Sequence, residues 1–396
     1  MSPGGVRRER GPDDRIRVAF LTPSLHAGGA ERQLLILAAA LPRSRFDVRF
    51  ILIWERGEWA PEAEAIGVPI DVLGLRPEDC RRPGLRCARA TVMALSRYFR
   101  LVRDVDIVDA WLVPAFTLAG FAQPLARVPI VIGGRRSLLD LYRTRSWLRR
   151  AAAAWASRRM SAIVANSRQG ALEAVSRERL DGRRVHVIPN AVIPVSVDRE
   201  TRARLRAGWG FGPADVVVGC VANYKRSKGL ESVVAAAGQL RATVPELRYV
   251  LVGEGPLRAR LEDQIESLGL GSVVVLNGRA DDARLLYPAF DVAVQASETE
   301  GLPNVVLEAA SAGLPIVATA VGGTPEVLSD EESGILMPDA TPERLAAALL
   351  RLARDPALRD RLGDAARARS MAFSAGRLAE STAALYERLI AERRRP

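Results

Sequence analysis

Two features of the sequence have residue types and spacing that could do chemistry. The first is the string 297–319, which opens Ser297-Glu-Thr-Glu-Gly-Leu-Pro-Asn. Glu300 and Glu308 stand in it with seven residues between them. Pro303 suits a first helical turn, where its missing N–H costs nothing. Glu300 then precedes a helix and Glu308 lies about a turn and a half inside it. The free N–H groups of Gly301–Asn304 suit a diphosphate, and Glu308 suits ribose hydroxyls. The second feature is 221–229. The chain's two lysines, Lys225 and Lys228, both fall there, although Lys and Arg together number 57. A compact ammonium in an arginine-rich chain points to a point charge on phosphate.

A weaker signal lies at Gly28-Gly29, after the first strand and before a helix. Close backbone approach and a helix N-terminus suit a phosphate there. It is not a G-x-G-x-x-G dinucleotide fingerprint, and 253–258 also fails that test because Arg258 stands where the third glycine belongs. Asp104-Val-Asp106 spells a D-x-D metal motif but sits before a buried strand, so it reads as a solvated strand start. Only His26 and His186 are present, which excludes a His-rich metal site. No metal or cofactor is expected.

These residues need a scaffold. At 396 residues and 48% hydrophobic content the chain can build two packed domains. Short apolar runs alternate with helical patterns, as parallel sheets covered by helices require. Strands are expected at 17–22, 48–54, 70–73, 107–111, 129–132, 162–165 and 185–188. After a Pro- and Gly-punctuated linker at 193–213, they resume at 216–221, 248–252, 273–276, 292–295, 315–319 and 334–337. The expected fold class is α/β, with two Rossmann-like domains facing across a cleft. The boundaries are a disordered tail over 1–15, a first Rossmann-like domain over 16–195, a second over 196–373, and a helix over 374–396 crossing back to the first domain. Ligands bind such sheets beyond the strands' carboxyl ends, where the motifs above fall.

The combined pattern resembles the family-4 retaining glycosyltransferases with the GT-B fold. The string 297–319 resembles their E-x7-E motif, and 26–32 their Gly-Gly-Ala-Glu-Arg opening. The pairs 164–167 and 187–190, Lys228-Gly229, 253–257, Asn277-Gly278 and 321–326 fit further family blocks. The resemblance covers roughly 16–390. It implies Lys228 on the donor diphosphate and Glu300 on the donor sugar, with Gly301 and Leu302 on the phosphates and Glu308 on the ribose. It also implies the backbone near Gly278–Arg279 on the base, with Gly28 and Gly29 bordering phosphates and acceptor. Two positions depart from the pattern. Asn223 stands where the family carries an arginine, and Lys225 and Arg226 are the candidates to replace its charge. No histidine ends the fourth strand, so Asp109 or Trp111 is expected in that space.

A metal-independent glycosyltransferase using a nucleotide diphosphate sugar is therefore the leading reading. A non-catalytic nucleotide-sugar binder and another GT-B enzyme, such as an epimerase, are its rivals. Arg135 and Arg136, together with His26, are expected on the acceptor side. Net charge is +11, which favours anionic partners, including a lipid-linked acceptor in polysaccharide or glycolipid assembly. Six arginines with Trp147 and Trp155 over 143–160 could lie on an anionic membrane, or simply form a domain helix. Nucleic acid is a poor fit, because no aromatic platform or known module accompanies the charge. The longest apolar run, 34–41, is eight residues, far below the ~20 of a membrane span. Three cysteines, Cys80, Cys87 and Cys220, do not look like a disulfide framework and suit a reducing cytosol, on the inner face of the plasma membrane.

Overall fold

Strand residues that are apolar on both faces must be covered on both faces, and the chain meets that demand twice. The computed structural model describes residues 15–80, 84–126, 128–136, 147–194, 196 and 198–394. The first sheet contains β1 (Ile16–Thr22), β2 (Phe46–Leu52), β3 (Ile70–Val72), β4 (Ile107–Ala110), β5 (Ile130–Arg135), β6 (Ala162–Ala165) and β7 (Val185–Val187), in spatial order β3-β2-β1-β4-β5-β6-β7. The second contains β8 (Val216–Val221), β9 (Leu247–Val252), β10 (Val274–Gly278), β11 (Val292–Gln295), β12 (Ile316–Thr319) and β13 (Ile335–Met337), in order β10-β9-β8-β11-β12-β13. Every described strand pairing is parallel.

Alternation along each strand divides its side chains between two layers. On β1, Val18 and Phe20 join one core while Ala19 and Leu21 join the other. On β9, Leu247, Tyr249 and Leu251 face one way and Val250 and Val252 the other. In each sheet the strand order reverses at the middle, beside β1 and β4 and beside β8 and β11. The crevice at such a reversal is where open α/β sheets take ligands. The loops carrying Gly28-Gly29, Lys228 and Glu300 leave the ends of β1, β8 and β11.

The last helix, Ala375–Arg394, packs on the first sheet. Leu378, Ala379, Tyr386 and Leu389 share a core with Phe20, Phe46 and Leu34, and Tyr386 meets the Phe46 ring edge-on at 6.0 Å. The crossing is tied by Val192 N–H donating to Phe373 O at 2.8 Å.

Two expectations are corrected. Asp106 is not a solvated strand start: it is buried, and its Oδ2 accepts the Arg17 N–H at 2.8 Å, which fixes the entry to β1. Cys80 and Cys87 are joined as a disulfide, with Cα atoms 4.7 Å apart. A 3₁₀ turn over Pro77–Cys80 and the first turn of the helix Leu85–Leu101 fold the two thiols together, which sparse spacing alone did not reveal. Residues 1–14 of the expected tail, and 143–146 of the basic tryptophan-bearing segment, lie outside the described residues.

Candidate active site

The helix Gly29–Ala40 begins without a side-chain cap, with extended backbone at Gly28, so its first N–H groups stay available. A Cβ on Gly29 would sit 2.8 Å from Asn304 Nδ2, so a larger residue here would push against the amide of the opposite loop. Across the cleft, the helix Asn304–Ser311 also starts without a side-chain cap. Pro303 is the residue just before it rather than part of its first turn. A Cβ on Gly301 would lie 2.7 Å from Arg136 O, so the two sheets' loops touch here.

Lys228 ends a 3₁₀ turn (Arg226–Lys228) that closes on Gly229, whose φ of 64° is the left-handed region open to glycine. Its Nζ lies 2.5 Å from Glu300 Oε1, and Ser297 Oγ donates to the same oxygen at 2.7 Å. Glu298 N–H donates to Ser227 O at 2.9 Å, binding the two loops backbone to backbone. The ammonium and carboxylate are thus held together before any ligand arrives.

Glu308 lies half-buried on its helix. Burial pushes its carboxyl up to about 7, while Tyr287, Arg284 and Arg32 pull the other way. Arg284 pairs with Asp282 at 2.6 Å. Arg32 pairs with Glu62 at 3.1 Å and lies 4.4 Å over the Trp59 ring.

One amide locks the cleft. Asn304 Oδ1 accepts from Asn190 Nδ2 at 2.8 Å and from Gln33 Nε2 at 3.2 Å, and its Nδ2 donates to Gly29 O at 2.9 Å. Asn190 Nδ2 also donates to Leu302 O at 3.0 Å. Nearer the rim, Arg279 Nη2 donates to Glu58 Oε1 at 3.2 Å. Glu58 Oε2 accepts the Ala27 N–H at 3.1 Å and lies 2.7 Å from His26 Nδ1. The bond to Glu58 raises the His26 pKa, and Glu58 is held down to about 2 by a backbone hydrogen bond and by His26.

These groups line a cavity of about 430 Å³ between the sheets. Of the donor residues expected from sequence, Gly28, Gly29, Asn223, Lys228 and Arg279 line it, as do Glu300, Gly301, Leu302 and Glu308. Arg226 is exposed and lies outside the lining. Gly278 is set back by one residue, its φ of 75° turning the chain so that Arg279 faces the cavity.

On the other side Arg136 lines the cavity but Arg135 does not. The Arg135 guanidinium pairs with buried Glu178 at 2.8 Å and stacks 4.0 Å over Phe116, a structural role. Asp109 and Trp111 are buried behind the lining rather than facing it. Asp109 accepts from Tyr386 Oη at 2.7 Å, and Trp111 lies under Arg136. His26 sits outside the lining, exposed between Glu55 and Glu58. Sequence reasoning missed Arg32, Arg284 and the Gln33–Asn190–Asn304 relay. Arg32 and Asn190 stood inside the quoted family blocks, and the Asn304 position follows Pro303 directly.

Two family models match this chain: Glycosyltransferase Family 4 over residues 27–196, and Glycosyl transferases group 1 over 201–369. The chain belongs to the family-4 glycosyltransferases. The fold of this family-4 chain is GT-B, shared with Anabaena HepE, solved in complex with UDP and glucose. The TM-score is 0.83 at 22% identity, covering 94% of this chain and 100% of that one. WaaG, a glycosyltransferase involved in lipopolysaccharide biosynthesis, gives 0.73 at 18% identity, covering 93% and 99%. The Vi polysaccharide biosynthesis protein VipC/TviE of Salmonella typhi is 25% identical over 363 residues, 82% of this chain and 62% of that protein. A D-inositol 3-phosphate glycosyltransferase of Kineococcus radiotolerans is 34% identical over 258 residues, 58% of each chain. The chain thus spans about six tenths of the length of these curated relatives.

Proposed function

We propose that this protein transfers a glycosyl group from a nucleotide diphosphate sugar to a hydroxyl acceptor, with retention at the anomeric carbon and without a metal ion. The observation that carries the reading is the Lys228–Glu300 pair at 2.5 Å, set beside an uncapped helix N-terminus with Glu308 in the same cavity. The bond from the anomeric carbon to the β-phosphate oxygen breaks, and its electron pair leaves on the diphosphate. The acceptor oxygen bonds to that carbon from the same face, and its proton passes to the departing phosphate. Lys228 and the N–H groups of 301–304 meet the growing charge, in the role a divalent cation plays in other transferases. Glu300 orients the sugar, and Glu308 accepts from the ribose. Binding of UDP and glucose by the HepE structure, and the polysaccharide and lipopolysaccharide roles of the relatives, support a place in cell-surface glycan assembly.

We also read the protein as peripheral to an anionic cytoplasmic membrane face. Among the described residues no helix is long and apolar enough to cross a membrane. On the helices Leu112–Ala126 and Trp147–Arg159, however, exposed Phe121 and Trp155 stack at 4.6 Å, with Arg159 4.2 Å over the indole and Leu125 exposed nearby. Aromatic rings beside arginine suit the headgroup boundary. Vesicles with anionic lipid should sediment the protein and neutral vesicles should not. Replacing Phe121 and Trp155 by alanine should abolish the difference.

A thermal-shift screen of nucleotide diphosphates and nucleotide sugars in EDTA tests the donor site. One nucleotide family should raise the melting temperature of wild type and not of Glu308→Ala. No stabilisation by any nucleotide, or stabilisation only after a divalent ion is added, would sink this reading.

A further inference from the structure

The cavity's basic side chains fall into two kinds. Lys228 pairs with Glu300 at 2.5 Å, Arg284 with Asp282 at 2.6 Å, Arg32 with Glu62 at 3.1 Å and Arg279 with Glu58 at 3.2 Å. Arg136 has no carboxylate within ion-pair distance among the described residues. Its Nη1 donates to Asn190 Oδ1 at 3.2 Å, and its guanidinium lies 3.7 Å over the Trp111 ring. Its Nε is buried and has no hydrogen-bond partner. Asp109, whose charge acts on it from beyond ion-pair distance, accepts from Tyr386 Oη at 2.7 Å; burial pushes the Asp109 carboxyl up while Tyr386 and Arg136 pull it down.

Burial lowers the Arg136 pKa to about 10, so it stays a cation at neutral pH. A buried charge with no carboxylate in ion-pair contact is costly, and stacking on an indole and the more distant Asp109 return only part of that cost. A protein keeps such a group where a ligand completes it. A planar guanidinium offers paired N–H donors, the match for two oxygens of a phosphate. Arg136 leaves the end of β5, on the sheet opposite the one that carries Lys228 and the helix Asn304–Ser311. The donor's diphosphate belongs to that second sheet on the transferase reading, on which this step rests.

We infer that Arg136 is an oxyanion receptor for the acceptor, so that the acceptor carries a phosphate group close to the hydroxyl that is glycosylated. Trp111 and Asn190 are its positioning residues, holding the guanidinium flat and aimed into the cleft.

Calorimetric titration of inorganic phosphate into the protein tests this, with and without saturating UDP, on wild type and Arg136→Gln. Arg199→Gln, at an exposed site remote from the lining, is the control for net charge. Phosphate should bind the UDP-loaded wild type and control equally. In Arg136→Gln its Kd should rise at least tenfold, while UDP affinity stays within twofold. Competition between phosphate and UDP, or loss of UDP affinity in Arg136→Gln, would assign Arg136 to the donor diphosphate and overturn the inference. Equal phosphate affinity in wild type and Arg136→Gln would overturn it as well. If Arg136→Gln does not fold, Arg136→Lys replaces it: the charge stays but the fork and stacking go, and phosphate affinity should still fall severalfold. Failure of UDP to bind wild type would defeat the donor reading alone, and the phosphate titration without UDP would still decide the role of Arg136.

Discussion

Glu308 is half-buried, with Arg284 and Arg32 close enough to pull on its charge, and burial carries its carboxyl from 4.5 to about 7. Between these values the folded protein holds a proton that the unfolded chain has released. Stability therefore falls as pH rises from about 4.5 to about 7 and is level outside that window. Glu308→Gln should remove the slope and exceed wild type at pH 8 by roughly 2 kcal/mol, a figure reduced from the full shift because the group keeps some hydration. Urea melts across pH 4 to 8 read this directly. Ribose hydroxyls would favour the ionised carboxylate, so nucleotide binding near pH 6.5 should release protons. Calorimetry in buffers of different ionisation heat measures that release, and none should remain in Glu308→Gln. At the Lys228–Glu300 pair, Lys228→Ala should lower kcat by at least ~10²-fold, as loss of an oxyanion-stabilising group does, with a smaller effect on KM. That Lys228, Glu300 and Glu308 share one cavity was legible, because the motifs that carry them follow strand ends facing the cleft. Arg135 and Arg136 were not separable by sequence. Adjacent arginines at a strand end point to opposite faces, and only the packing of Phe116 and Glu178 decides which one turns inward.

The elements were legible because most of the thirteen described strands are short runs rich in β-branched or apolar residues. Their contact across the cleft was not, because amide–amide bonds leave no periodicity. Asn304 places its single side chain against Gln33, Asn190 and Gly29. Asn304→Ala should take one acceptor from each of the buried Gln33 and Asn190 amides, which keep their bonds to Ala191 and Leu302, and cost about 1–3 kcal/mol. It should also loosen the closed cleft, so kcat should fall more than nucleotide affinity, because water exclusion depends on closure. Steady-state kinetics beside nucleotide titration separates the two. The disulfide between Cys80 and Cys87 belongs to the same lesson, since a turn rather than a spacing rule brings the thiols together.

At the scale of the molecule, the helix Ala375–Arg394 completes a core that begins with β1. Tyr386 is buried and donates to buried Asp109 at 2.7 Å. Tyr386→Phe should remove the hydroxyl donor to that buried carboxyl and lower stability by about 1–3 kcal/mol, seen as a lower denaturant midpoint with little change in slope. This long-range closure has a consequence for synthesis on the ribosome. Domains usually fold in the order in which they emerge, the N-terminal one first. Here the first sheet cannot bury Phe20, Phe46 and Leu34 fully until Leu378, Tyr386 and Leu389 have left the exit tunnel, after the whole second sheet has been made. The second sheet can mature first, and the first must wait with an apolar face open, the interval in which this chain would most need a chaperone.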